Sequence, residues 1–564
     1  MKLRNLGLAA AATAMLAAFG ACKNDQLLSV TYTDQPDVAR AFATGDGIEA
    51  ILRNGFSQIL NATHGSTTAI LPAATVLSFE SYGSVANFGM NLRAAIPRIA
   101  IDNSRGNPTA AEDFSAFQQL SLRGRTLANA LEALDKLIAN KGSLGSPAQD
   151  LRARSFGFFN LGIANAHMAL FYDSVGVSTN QLASTDIPPL QDYGAAMTVA
   201  LGQLDSAIAI ATQARTATGT NGFPLPITWL KTPNTTSIDD YIKIIRSLKA
   251  RYRAGVTRNA TERAAVNWAL VLADAQAGIT SDFRLDMDNN AGWGLAWISQ
   301  AMVLTGWHDM TPYIIGMADT SANYANWLAI DRNNRAPALI LTPDKRFPGG
   351  ETRTIQQTNS PASTAVLPTV YFRNRPAGED TPGDAWGNSF YDFVRYRQYR
   401  QNSSIGPWMY MTRTENDMLT AEALIRLNRA SEAVDLVNLT RVFNGLAPFP
   451  AGSSATSRAP IQPGGSATNC VPRTPTGAGG ALECGTLFEA VKWEKRMETI
   501  FSGYAQWLQD SRGWGDLPPN TPTMWPVPFQ EMDSRRQAFY NSLTGDPKWV
   551  AGATNTYGFG IGTR

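Results

Sequence analysis

From residue 46 onward, apolar side chains recur every three to four positions through several long stretches, the repeat of helices that bury one face and wet the other. Met418, Leu419, Ala421, Leu424 and Leu427 mark one stripe, and Ala433, Val434, Val437 and Val442 mark the next. Asn428-Arg429 separates them, and Ser431 stands where an N-cap oxygen is needed. Ala421 and Ala433 are the small residues that let the two helices of a tetratricopeptide-like hairpin cross closely. Such a hairpin leaves an apolar face wet, so the pattern predicts further pairs stacked on it.

Two more pairs follow the same rule. Phe156, Phe159, Ile163, Ala166 and Leu170 predict a helix over 151–173, partnered by Met197, Leu201, Leu204 and Ile208 over 193–211. Tyr241, Ile244, Ile245, Leu248 and Tyr252 begin a hairpin over 239–277, completed by Ala264, Ala265, Trp268, Ala269 and Leu272 with Thr261 as cap. Single stripes over 46–61 (Ile48, Leu52, Phe56, Ile59) and 114–138 (Phe117, Leu120, Leu127, Leu134) precede them. The predicted class is all-α in the main, with tetratricopeptide-like hairpins near 151–211, 239–277 and 414–446 stacked into a superhelical scaffold within one domain, 46–564. No sheet core is expected. Long irregular insertions fall near 71–108, 281–388 and 447–485, and 391–400 alternates as a short strand or extended segment would.

Charge narrows the function. The 564 residues carry a formal net charge of +2, with Lys and Arg scattered and no basic block, which argues against a nucleic-acid partner. At the start, Lys2 and Arg4 precede the apolar run Leu6–Ala18, too short to span a bilayer, and 1–21 therefore reads as a signal peptide. Phe19-Gly20-Ala21-Cys22 resembles a bacterial lipoprotein cleavage site, with Cys22 as the lipidated residue and 22–45 as anchor and tether. Acyl chains contribute about 0.8 kcal/mol per buried methylene, enough in pairs to hold a protein on a membrane. No later window is expected to have the length and apolarity of a span.

Candidate chemistry is sparse. The stretch 281–330 packs Trp293, Trp307, Tyr313 and Trp327 among Gly, Asn and Asp, and the earlier insertion holds Tyr82. Exposed aromatic planes beside amides, carboxylates and guanidinium groups are what a sugar face needs, so at least two of the four rings of 281–330 are expected on an open platform. His64, His167 and His308 have no second ligand in register, and Asp286, Asp288 and Asn290 lose the calcium-loop pattern at Ala291 and Trp297, so no metal or cofactor is expected. Cys470 and Cys484 flank a Pro/Gly/Thr-rich loop and are expected to be bridged in an exported chain. There is no H-E-x-x-H, phosphate loop, C-x-x-C or G-x-S-x-G motif, and Glu494 and Glu498, one turn apart beside Lys495 and Arg496, read as salt-bridge partners; no catalytic residue is assigned.

Arg413, Glu415, Leu419, Ala421-Glu422-Ala423, Asn438 and Arg441, followed by Glu494-Lys495-Arg496-Met497-Glu498, Gly503, Asp510, Arg512 and Trp525-Pro526-Val527-Pro528, resemble the C-terminal half of the SusD/RagB-like family of nutrient-binding outer-membrane lipoproteins. The segment 151–173 is similar to another of that family's helices, although the Tyr172–Val177 turn lacks its Pro. The resemblance implies a non-enzymatic, lipid-anchored protein facing the cell exterior. It would bind an oligosaccharide, with a peptide as second choice, and deliver it to a SusC-like TonB-dependent transporter. The alternatives are a helical glycoside hydrolase, which needs only two carboxylates, and a tetratricopeptide-like interaction scaffold without a ligand.

Overall fold

The computed structural model describes residues 42–65, 70–83, 90–107, 111–218, 223–303, 308–380, 387–477, 481–540, 549–552 and 555–561. The leader 1–21, Cys22, most of the tether and Trp307 lie outside the described residues.

The principal helices are α1 (Gly45–His64), α2 (Ile70–Leu77), α3 (Ala111–Ala139), α4 (Pro147–Phe171), α5 (Tyr193–Thr218), α6 (Ile238–Gly255) and α7 (Trp268–Gln276). A two-stranded antiparallel ribbon follows, β1 (Phe283–Asp288) with β2 (Ile405–Met411), and then α8 (Arg413–Arg426), α9 (Ala430–Phe443), α10 (Leu487–Thr499) and α11 (Gln506–Trp514). The helices stack largely in chain order, α1 on α3, α3 on α4, α4 on α5, α5 on α6, α6 on α7 and α7 on α8, with α9 and α10 both against α8. The hairpin architecture is therefore as the periodicity implies, and the strands among the described residues form only two-stranded sheets.

Local chemistry sets several of the helix ends. Ser146, Ser237, Thr412 and Thr486 accept from the third following amide as N-caps of α4, α6, α8 and α10. Ser431 and Thr261 are not caps. Arg429 stands at the start of α9 with no side-chain bond to a helix amide, and 260–276 splits into Ala260–Ala264, capped by Asn259, and α7, capped by Asn267. The expected strand at 391–400 is a strand only over Tyr391–Phe393, turning into a short helix at Arg397–Gln401, and the supposedly irregular 71–108 contains most of α2. Tyr193–Thr216 is long and apolar enough by composition to cross a membrane, contrary to expectation; in the fold half of its window is buried, packed on α4 and α6.

Helix α4 is the central element. Gly157 and Gly162, each unfavourable in a helix by about 1 kcal/mol relative to Ala, permit close approach. A Cβ on the first would stand 2.8 Å from Leu52 and 2.7 Å from Leu131, and on the second 2.9 Å from Leu204. The C-terminal carbonyl of Leu170 accepts from both Arg258 and Arg512, two buried cations placed where the helix dipole is negative.

Apart from Arg413, the charged motif residues are interior rather than surface groups. Glu415 accepts bidentately from Arg251 at 2.6 and 2.7 Å, Lys495 reaches Asp510 at 2.8 Å, and Glu494 sits 2.9 Å from Arg346. Arg346 is held in turn by Asp344 at 2.7 Å. These pairs join α6, α8, α10 and α11 and the 344–346 turn across long sequence separations.

Candidate functional site

The expected aromatic platform is not open. Trp293, Tyr313, Trp327 and Tyr82 are 7%, 1%, 2% and 4% exposed. Their neighbours explain why. Tyr313 stacks on Phe79 at 4.5 Å and meets Trp327 edge-on at 5.1 Å, while the Arg335 guanidinium lies 4.1 Å over Trp327 and donates to the Tyr313 hydroxyl. Trp293 packs on Phe56 of α1, and the Tyr82 strand pairs with His308-Asp309 under Gly387. The rings fasten insertions to the helices. Cys470 and Cys484 are joined in a disulfide, which anchors a hairpin whose Arg473 donates to the Ser321 carbonyl at 2.7 Å.

Polar groups and one exposed ring instead converge where α7 ends, β1 begins and the α8–α9 hairpin starts. Three clefts of about 400, 310 and 510 Å³ meet there. The first and second share Asp282, the second and third share Arg413 and Asp417, and the first and third share Ile279 and Thr280, so they form one branched groove. Each is of the size that small ligands occupy.

Asp282 and Arg413 are locked together by the Arg413 N–H donating to the Asp282 carboxylate at 2.8 Å. The Arg413 guanidinium stands 3.3 Å from Asp417, one turn on along α8. Burial pushes the Asp417 carboxyl above its ordinary value, and Arg413 opposes the shift without cancelling it. Deeper in the wall, Arg395 pairs with Glu498 at 3.0 Å and covers the Tyr371 ring at 4.4 Å, and Tyr371 donates to Glu498 at 2.7 Å. Burial raises the Tyr371 phenol, and Glu498 raises it further.

Phe443 closes one side of the groove at 68% exposure, with Leu439 next to it at 56%. Among the described residues it is the one aromatic ring on the open surface. The sequence stripe placed Val442 in the core, but α9 buries Ala433, Val434, Val437, Thr440 and Arg441, which turns Leu439, Val442 and Phe443 outward. The signal that could have found them is that phase. A polar Thr440-Arg441 pair inside a buried stripe is legible only once Arg441 is seen to reach the carbonyls of Ala447 and Val471.

Chemically the arrangement has what a polar, ring-stacking ligand needs, a flat apolar ring and Leu439 beside carboxylate, guanidinium and the side chain of Asn444. Glu494 and Glu498, expected as salt-bridge partners, are both engaged, Glu494 by Arg346 and Arg441 and Glu498 by Arg395 and Tyr371. No group of three or more His, Cys, Asp or Glu among the described residues could hold a metal ion. His64 and His167 are buried; the His64 Nε2 bonds the Gly503 carbonyl at 2.6 Å, and the His167 Nε2 faces the hydroxyls of Tyr252 and Tyr410.

The stacked hairpins carry a loop-built groove on one side and define a helical scaffold. Neither a protein-family model nor a curated protein sequence matches the chain. Among solved structures, a SusD superfamily protein from Bacteroides vulgatus is similar over 87% of this chain and 90% of its own, at 12% identity and a TM-score of 0.50. A SusD superfamily protein from Bacteroides thetaiotaomicron gives 88% and 98%, at 13% identity and a TM-score of 0.46. A chitin-binding SusD homologue from Flavobacterium johnsoniae gives 83% and 87%, at 13% and 0.45. The chain has the SusD-like fold.

Proposed function

We propose that the protein belongs to the SusD/RagB-like nutrient-binding lipoproteins and captures a neutral oligosaccharide in the branched groove at Asp282, Arg413, Asp417 and Phe443. On this reading residues 1–21 are removed, Cys22 carries the lipid, 22–45 is the tether, and 46–564 is one binding domain at the outer face of the outer membrane. It hands its ligand to a SusC-like TonB-dependent transporter without breaking a bond. Capture and release require an open face of modest affinity rather than a sealed cavity.

The observation that carries the reading is the SusD-like fold extending over nearly the whole chain. The groove adds support, because it sets an exposed ring beside paired charges that hydrogen-bond hydroxyls without being neutralised by a charged ligand. The test is a glycan and peptide array on the full-length protein, followed by calorimetry and a reducing-end assay on every hit. Saccharide binding without new reducing ends is expected. Release of reducing ends would favour the hydrolase, and binding of neither class would favour the interaction scaffold. Co-purification with an outer-membrane barrel protein tests the delivery step.

A further inference from the structure

We infer that the hollow between α1 and α3 is a second ligand site, which takes a small carboxylic acid with an apolar tail and holds its carboxylate on Arg123. Ile51, Asn54, Gly55 and Gln58 recur at the spacing of one face of α1, and Arg123, Thr126 and Leu127 do the same on α3. With Ala50, these two stripes line a hollow of about 250 Å³. Gly55 lets the helices close. A Cβ there would stand 2.8 Å from Leu127 and 2.6 Å from Asn160, and Ile51 and Gln58, one turn before and after, flank the gap above it. None of the lining residues belongs to the branched groove.

Arg123 selects the ligand. The arginines that α4 sends to these helices are answered by acids, Arg152 by Glu49 at 3.2 Å and Arg154 by Asp135 at 3.1 Å, and Arg125 of α3 donates to the carbonyls of Ala183 and Asp186. Among the described residues Arg123 makes one hydrogen bond, from Nη2 to the neutral Gln119 Oε1 at 3.3 Å, and its Nε is buried without a partner. Burial lowers the guanidinium from its ordinary value, and no acid offsets the shift. Asn54 and Gln58 place two further side-chain amides on the same rim.

Charge and shape define the class. A guanidinium matches a carboxylate in geometry and charge, one to one, and no second cation lines the hollow to balance a dianion. Ala50, Ile51 and Leu127 present side chains without a hydrogen-bonding group, a wall that a hydrocarbon chain or ring covers and a neutral sugar does not. A hollow of about 250 Å³ suits one ring with a short chain, since a cavity of about 150 Å³ holds benzene. This inference does not depend on the saccharide reading.

The experiment is calorimetry on the full-length protein with 3-phenylpropanoate, its uncharged amide 3-phenylpropanamide, acetate and inorganic phosphate. 3-Phenylpropanoate is expected to bind about tenfold or more tightly than each of the others. Arg123→Gln should lower that affinity by about tenfold or more. Ala50→Leu, which fills the hollow and leaves the guanidinium in place, should lower it to a similar extent and decides the matter if Arg123→Gln does not fold. Phe443→Ala should leave it unchanged, so failure of this site is distinguishable from failure of the groove. No binding of 3-phenylpropanoate, equal binding of the amide, unchanged affinity in Arg123→Gln or Ala50→Leu, or a loss of affinity in Phe443→Ala would overturn the inference. Acetate or phosphate binding as tightly as 3-phenylpropanoate would overturn it too, because the apolar wall would then contribute nothing.

Discussion

Arg263 and Glu422 meet fork to fork, Nε to Oε1 at 3.0 Å and Nη2 to Oε2 at 2.6 Å, with neither side chain exposed to solvent. Asp510 approaches the same guanidinium at 3.1 Å, so one arginine from the short helix Ala260–Ala264 ties α8 to α11. Burial alone would raise the Glu422 acid; Arg263, helped by Lys495 and Arg426, outweighs it and holds the carboxyl down to about 2. Breaking such a pair from one side leaves a buried charge without its partner, at a cost of about 3–5 kcal/mol. Glu422→Gln should lose stability on that scale in denaturant unfolding, and Arg263→Met with Glu422→Leu should lose less than the two single changes added. Because the folded value lies below the ordinary 4.5, this contribution is complete above pH 4.5 and disappears as pH falls toward 2. Glu422→Gln should flatten that part of the acid-unfolding curve.

Glu80 behaves in the opposite sense. Its Oε1 accepts the Phe501 N–H at 2.6 Å, its Oε2 meets no donor among the described residues, and burial raises the acid to about 8 although the Phe501 bond opposes it. The fold therefore holds a proton that the unfolded chain gives up above its ordinary 4.5, and stability falls as pH rises from 4.5 to about 8. Glu80→Gln keeps the acceptor and removes the titration. Its melting temperature should match the parent near pH 4.5 and exceed it at pH 8, by an amount corresponding to a few kcal/mol.

His64 adds a loss on the acid side. Burial lowers the imidazole to about 4, against a smaller upward pull from the Gly503 carbonyl. The unfolded chain binds a proton below 6.5 that the fold refuses, so the contribution is present above 6.5 and lost as pH falls to about 4. The total is on the order of 3 kcal/mol. His64→Gln, which retains a donor toward Gly503, should reduce the slope of melting temperature against pH in this window; an unchanged slope would remove His64 as its source.

Phe443 separates binding from stability. Its ring is 68% exposed at the end of α9, so Phe443→Ala should change unfolding free energy by no more than about 0.5 kcal/mol. A stacking ring contributes about 0.5–1.5 kcal/mol beyond its buried area. Saccharide affinity measured by calorimetry should accordingly fall roughly two- to tenfold or more, with Trp327→Phe, a change in a buried ring, as the contrasting variant that lowers stability and leaves affinity unaltered.

The helices were legible because periodicity records which face is buried, and burial of a helix face is a local property of phase. Ile244, Ile245, Leu248 and Tyr252 needed no partner to declare the stripe of α6, and the Glu415, Glu422, Arg441 and Lys495 wording resembled a family because each residue is an interior ion with a fixed role. Which partner satisfies each ion was not legible. Arg251, Arg263 and Arg346 come from elements far away in the chain, and only packing brings them within 3 Å of Glu415, Glu422 and Glu494.

The site was hidden for the same reason. Trp293, Tyr313 and Trp327 have the composition of a sugar platform, but a ring's exposure is decided by what the rest of the fold lays over it, here Phe56, Phe79 and Arg335. Phe443 and the Asp282–Arg413 contact are ordinary residues until three clefts meet around them. The chain by itself determined its helical class and its hairpins, since these follow from local phase. The tertiary structure alone decided which aromatic faces water and which partner meets each buried ion, since both depend on neighbours supplied by distant segments.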